Sequence, residues 1–379
     1  MNLAENNIYM RSFYEEFPED IAGLVDDVRN DRDSPGPSPD QLKQNTRLEH
    51  LEMGAGEPDV ERYFHAHVFP DPEPTDSLQR TDKNPMAKHV VPDVGSKLKV
   101  STPKPDILYG YNSIGAFPQQ QAQLRSMGNE MVANSHDLTY PFFVIEFKAD
   151  GPGGFGSLWV ATNQCLGASA SCVNVAERLN RQLGQCKSDK VQPIDGAAFS
   201  IAMSGTEARL YISWKHNELD YYMQKVKSFL LQEPEQYVEF RKYVRNIIDW
   251  GKDKRLKQIQ ESLDNLLEES RRRTSEVAKS RPPPSDNSAS NSTHKRKASR
   301  KGKTSDHNQV SDAIQDFQSS NYQGREEDDP NCQLLEETEH YTSFHDQDGC
   351  NAPAQQSLSS TDAPQPVTSV YGYNSTSAP

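Results

Sequence analysis

The sequence predicts a mixed α/β fold of the α+β kind, followed by a disordered C-terminal tail. Three observations carry this expectation. Candidate elements run in the order helix, strands, helix, strands, helices. Residues 141–148, PFFVIEFK, hold five β-branched or aromatic residues out of eight and read as a central strand. Large apolar residues (Val, Ile, Leu, Met, Phe, Trp) number 39 between positions 141 and 270 but 9 between 281 and 379. The tail therefore has too little apolar surface to offset roughly 1–2 kcal/mol per residue of backbone entropy.

The elements follow from local pattern. Pro58 suits the first turn of a helix over 58–68, and Val60, Tyr63, Phe64, His67 and Val68 keep helical spacing. Ile107 to Tyr111 reads as a strand. A long helix is expected over 157–184, with Cys165, Ala168, Cys172, Ala176, Leu179 and Leu183 as one apolar stripe. Residues 197–204 and 208–215 read as a hairpin turning at Gly205. A helical stretch is expected over 219–273, broken or kinked at Gly251. Residues 30–45 and 70–104 read as loops, and the run Pro282-Pro283-Pro284 stops the last helix. This divides the chain into an N-terminal segment with a loop (1–44), a folded domain (45–275) and a Ser/Pro-rich tail (276–379).

Of 379 residues, 55 are acidic and 41 basic, a net charge of −14. The acidity sits at the ends: residues 1–100 carry −9, residues 101–280 carry +1, and residues 281–379 carry −6. A uniformly basic nucleic-acid binder is thus excluded, but a local basic groove in the middle is not. No apolar run is long enough for a membrane span, and the acidic start has no signal-peptide core. The 5 cysteines include no CxxC pair, which argues against a disulfide scaffold or a thiolate zinc site and fits an intracellular compartment.

Side chains alternate along a strand, so Phe143, Ile145 and Phe147 share one face while Glu146 and Lys148 share the other. Asp106 opens the preceding strand. If the two strands pair, Asp106 lies across the ladder from Glu146, and two acids and an amine meet. Two hard oxygen donors can hold Mg²⁺, and the lysine can orient a nucleophile or balance phosphate charge. The plain alternative is a solvated strand face with a weak ion pair.

Pro105-Asp106, followed by Glu146-Phe147-Lys148 and a long helix, resembles the PD-(D/E)XK nuclease-like superfamily. The phrases PKPDILYGY, YPFFVIEFKAD, NQCLGASASCVNVAERLN and IIDWGKDKRLKQI resemble an uncharacterised fungal branch of it. The resemblance spans about residues 45–270. It implies a restriction-endonuclease-like core, a central mixed sheet flanked by helices, and Mg²⁺- or Mn²⁺-dependent hydrolysis of nucleic-acid phosphodiesters, DNA or RNA. Carried over by position, Asp106 and Glu146 are metal ligands and Lys148 is the catalytic lysine. Glu61, with Glu57 second, is the candidate helical glutamate, and Gln164 the polar residue on the helix after the lysine strand. Residues 113–140 are an insertion between the catalytic strands. Members of the superfamily also keep the fold without activity, so a silent nucleic-acid or protein binding module is the alternative.

Other motifs compete. Gly151 to Gly156 matches GxGxxG between a strand and a helix and gives a second alternative, a dinucleotide-binding enzyme. Against it, the strand ends in Glu and Lys, and the acidic residue about 20 positions on, Glu177, falls mid-helix. In the pair His65/His67, His67 is expected in the core and His65 at the surface. Trp159, Trp214 and Trp250 are expected in the core. Lys252, Lys254, Arg255 and Lys257, with Arg271 to Arg273, read as a solvated helix face or a backbone-contacting stripe. In the tail, Lys295, Arg296, Lys297, Arg300, Lys301 and Lys303 form a basic run over 295–303, which reads as a nuclear-import signal and so predicts an import receptor as partner and a nuclear location.

Overall fold

A computed structural model describes residues 2–33, 36–149, 157–186 and 191–280. All of them belong to one compact unit, Met1–Ala289. The tail expectations, including the basic run 295–303, lie outside the described residues, as does the glycine motif 151–156.

The described chain forms β1 (Ile8–Met10), α1 (Glu19–Arg29), α2 (Pro39–Lys43), α3 (Thr46–Glu52), α4 (Glu57–His67) and β2 (Leu78–Asp82). Then follow β3 (Ile107–Asn112), α5 (Ser113–Ala116), α6 (Gln121–Ser126), β4 (Leu138–Phe147) and α7 (Leu158–Leu183). The sequence closes with β5 (Ala198–Met203), β6 (Glu207–Lys215), β7 (Tyr221–Leu230), α8 (Pro234–Trp250), a π-helical turn (Gly251–Arg255) and α9 (Leu256–Ser280). The strands make one seven-stranded mixed sheet in the order β1-β7-β6-β5-β4-β3-β2. The expected α/β class, a mixed sheet flanked by helices, is therefore what the chain adopts.

Strand β4 is buried along its whole length. It pairs antiparallel with β3 and parallel with β5, and α7 makes the crossover between β4 and β5. Helix α7 covers one face. Its stripe from Cys165 to Leu183 is buried as predicted, and Thr162 and Ser169 hydrogen-bond Tyr211 and Ser213 of β6. Helices α4 and α8 cover the other face through rings: Phe64 and Phe69 pack on Phe240, and Phe69 packs on Phe143 and Phe147.

Several expectations need correction. Residues 221–230 are a strand, not part of a helix. Tyr221 and Met223 of β7 meet α7, whereas Phe229 packs on Phe240 and Tyr243 of α8, and the register of β7 with β6 shifts between Leu210 and Tyr211. That shift breaks the period-2 pattern which would otherwise reveal a strand. The first 44 residues join the domain, because β1 pairs parallel with β7 and α1 packs on α8. The expected loops hold β2 and α2, both short. Helix α9 runs to Ser280, five residues past the expected boundary at 275.

A register shift also interrupts β3–β4 between Tyr109 and Tyr111. There Tyr140 takes φ +44°, a left-handed conformation costly for a ring-bearing residue, and Pro141 follows it inside the strand. Gly110 lies opposite, and a Cβ on it would meet Leu138 at 2.5 Å and the Thr139 carbonyl at 2.8 Å. The strain is held from outside. Arg255, expected on a solvated face, is fully buried. Its Nη1 donates to the Tyr140 carbonyl at 3.0 Å, and its guanidinium lies 5.4–5.8 Å from the rings of Tyr111, Phe142 and Trp250. The π-helical turn at Gly251 aims it there. The predicted break at Gly251 thus takes the form of a widened turn rather than a stop.

A Cβ at position 251 would sit 2.2 Å from the Phe142 ring. Gly251→Ala is therefore expected to destabilise the domain by about 1–3 kcal/mol through overpacking. Thermal unfolding of the variant checks this; an unchanged midpoint contradicts it.

Candidate functional site

The register of β3 and β4 builds the site. Ile107 pairs with Ile145, so Asp106, one residue before β3, stands opposite Glu146. The expected meeting of the two acids occurs. The Asp106 carboxylate accepts a hydrogen bond from the Phe147 N–H at 2.8 Å, which ties it to the carboxyl end of β4. Lys148 continues β4 through its N–H to the Met203 carbonyl of β5 at 2.9 Å. Its Nζ donates to the Phe147 carbonyl at 2.6 Å and lies 3.5 Å from Glu57, the first residue of α4. All three side chains are withdrawn from water: Asp106 is 9% exposed, Glu146 2% and Lys148 7%.

That burial governs the charges. Burial, and next the neighbouring charge of Asp106, push the Glu146 carboxyl up to about 9. A hydrogen bond with Asp106 adds to this by favouring the protonated form. Burial also lifts Asp106 above the usual carboxylate range, and the Phe147 N–H pulls it partly back. Behind the pair, the Cys165 thiol is pushed up first by burial and then by the Glu146 charge. It is a packed apolar neighbour rather than a nucleophile.

The other candidates separate. Gln164 lines the same cleft as Glu146, a space of about 430 Å³ between the first turns of α7 and the segment 100–104. Glu61 is engaged elsewhere: Lys83 Nζ reaches it at 2.7 Å, and His65 flanks it at 3.8 Å. Glu57 is the α4 glutamate that touches the lysine of the site. Lys83 was not legible in the sequence. It follows the edge strand β2, takes φ +50°, and feels Glu61, Asp106 and Glu57 together. No spacing rule marks such a residue.

Further positions reverse their expected exposure. His67 is exposed and stacks on Tyr63 at 4.3 Å. His65 is half-buried, and burial followed by the Arg80 charge holds it below the usual histidine range. Trp214 and Trp250 are core residues, but Trp159 is 62% exposed on the rim of the cleft. The basic residues of the last helices are largely paired with acids: Lys254 with Asp27, Lys257 with Glu261, and Arg272 and Arg273 with Glu269. Strand β5 ends at Met203, followed by Ser204, so the β4–α7–β5 unit offers no acidic residue there for a ribose hydroxyl. The insertion folds as α5 and α6 and tethers itself to the sheet: Val132 bridges Thr139, and Asn134 Nδ2 donates to Thr81 Oγ1 at 2.9 Å.

Among the described residues, no group of three or more His, Cys, Asp or Glu stands ready to hold a metal. The donor set fits one cation type. A hydrated hard divalent ion needs only one or two carboxylates and keeps its waters. Asp106 and Glu146 supply two, in a space where both ionised forms are otherwise disfavoured.

Residues 49–263 match the family model described as Domain of unknown function (DUF7924). The chain belongs to this family. No curated protein and no solved structure matches it. The DUF7924 span runs from within α3 to within α9 and holds Glu57, Lys83, Asp106, Glu146, Lys148, Trp159 and Gln164. The edge strand β1 and helices α1 and α2 lie outside it.

The pH dependence of stability follows from Glu146. In the unfolded chain it loses its proton near 4.5, whereas in the fold it holds it up to about 9. Between these values the native state binds more protons, so stability falls as pH rises. Without divalent metal, the unfolding midpoint of the wild type should decline from pH 5 to pH 9, and Glu146→Gln should flatten that decline. Parallel profiles for the two proteins contradict the assignment.

Proposed function

We propose that this chain is a metal-dependent phosphodiesterase of the PD-(D/E)XK type that hydrolyses nucleic acid. The observation that carries the reading is the Glu146 carboxyl, 2% exposed, set against Asp106 with Lys148 at the same strand end. Two acids in a nearly dry space favour one another's neutral forms. Asp106 and Glu146 would be the residues to hold a divalent cation, whose charge would offset that penalty. When bound, such an ion lowers the pKa of a bound water and polarises a phosphoryl oxygen.

The protein's own groups supply the rest. Lys148 is held by the Phe147 carbonyl and Glu57, so its ammonium sits at a defined place beside the acids. There it orients an attacking water and offsets charge gathering on the phosphate. Gln164 brings an amide to the cleft that lies over Glu146 and can donate to a non-bridging phosphate oxygen. The basic run 295–303 is the ground for proposing that the protein is imported into the nucleus, through an import receptor. No helix among the described residues is long and apolar enough to cross a membrane.

A second reading has one specific observation in its favour. The Asp106–Glu146 pair, once protonated, is satisfied by its own hydrogen bond and by the Phe147 N–H. On that reading the fold is catalytically silent and serves as a nucleic-acid or protein binding module.

The discriminating experiment incubates the full chain with single- and double-stranded DNA and RNA, with Mg²⁺ or Mn²⁺ and with EDTA. Cleavage is expected only with metal, and Lys148→Ala is expected to lower its rate by at least about 100-fold, the scale of a lost positioned catalytic group. Cleavage that persists in Lys148→Ala, or its absence from every substrate with metal, overturns the proposal.

A further inference from the structure

We infer that the cleft over Glu146 takes single-stranded nucleic acid, with one base stacked on Trp159 and the adjoining phosphate at Lys104. The inference rests on the reading of Glu146 as part of the reacting centre, and it adds the form of the substrate. Three observations lead to it.

The first is depth. Glu146 forms part of the lining of a cleft of about 430 Å³ while being 2% exposed itself. That volume suits a group the size of a nucleotide. A single strand or a loose end can bend its backbone toward such a withdrawn carboxyl more freely than a stacked duplex can.

The second is the indole. Burying an aromatic ring of this size is worth several kcal/mol, and the fold does so for Trp214 and Trp250. Trp159, on the first turn of α7, stays 62% exposed, although α7 is buried on almost every side from Cys165 to Ala176. Its backbone is pinned by Asn163, whose Nδ2 donates to the Trp159 carbonyl at 2.8 Å. An exposed indole on the rim of a cleft is what base stacking uses, and every base offers it a face.

The third is charge. Lys104 lies on the opposite wall of the cleft, exposed, with Ser101 and Thr102 beside it. It forms no ion pair among the described residues. The cations of α9 and the turn before it are mostly taken by acids, so they make no long basic track for a duplex backbone. Affinity must then come mainly from stacking and a few phosphate contacts.

The test measures binding by fluorescence anisotropy, with the full chain in EDTA and short labelled oligothymidylate, oligouridylate and a blunt DNA duplex as probes. Single strands should bind more tightly than the duplex. Trp159→Ala should weaken single-strand binding about tenfold, or about 1.4 kcal/mol, within the range of base–aromatic stacking. Trp159→Phe should restore most of it. The two oligonucleotides separate DNA from RNA. Duplex preference, no binding of any probe, or full binding by Trp159→Ala overturns the inference. Because binding is read without metal, the two proposals fail separately. Trp159-dependent binding without Mg²⁺-dependent cleavage removes the nuclease reading alone. Lys148-dependent cleavage that ignores Trp159→Ala removes this one alone.

Discussion

Two carboxyl groups that face each other away from water cannot both carry charge without a cation between them. Asp106 and Glu146 are in that position, and the rest of the site is arranged around it. The cost of ionising Glu146 is set mainly by its burial and next by Asp106. A surface pair would be screened by water and would select nothing. At the end of a covered strand the interaction between the same two groups is screened far less than in solvent.

The fold supplies the burial. The acids sit at the carboxyl end of β4, which is covered along its length and flanked by a parallel and an antiparallel partner. Helix α7 seals one face and brings Gln164 and Trp159 to the cleft. Helix α4 meets the same strand end from the other face with Glu57. Farther along β4, the bulge at Tyr140 and Pro141 resets the pairing with β3, and the buried Arg255 holds it there. A slip of one residue in that pairing would send Asp106 to the wrong face. The interior arginine and the strained tyrosine therefore bear on the site, although neither touches it.

Much of this was legible in the sequence. The alternation in PFFVIEFK marks β4 and separates the apolar face of Phe143 and Phe147 from the polar one of Glu146 and Lys148. The expected cross-strand approach of Asp106 follows once β3 and β4 pair, and the stripe along α7 marks its core face. What escaped lacks a local signal. Strand β1 is three residues long, and its pairing with β7 spans more than two hundred positions. Strand β7 hides behind a register shift. Glu57 and Glu61 lie one turn apart on α4, and only the fold shows that Glu57 meets Lys148 while Lys83 pairs with Glu61. The exposure of Trp159 depends on what does not pack on it, which no periodicity can show.

The most direct test of the central claim is an anomalous difference map from crystals of the chain soaked in Mn²⁺. A peak between the carboxyl groups of Asp106 and Glu146, with Lys148 Nζ beside it, is the predicted result. A well-ordered site in which the two acids stay hydrogen-bonded to each other, with no metal peak between them at saturating Mn²⁺, would contradict the account.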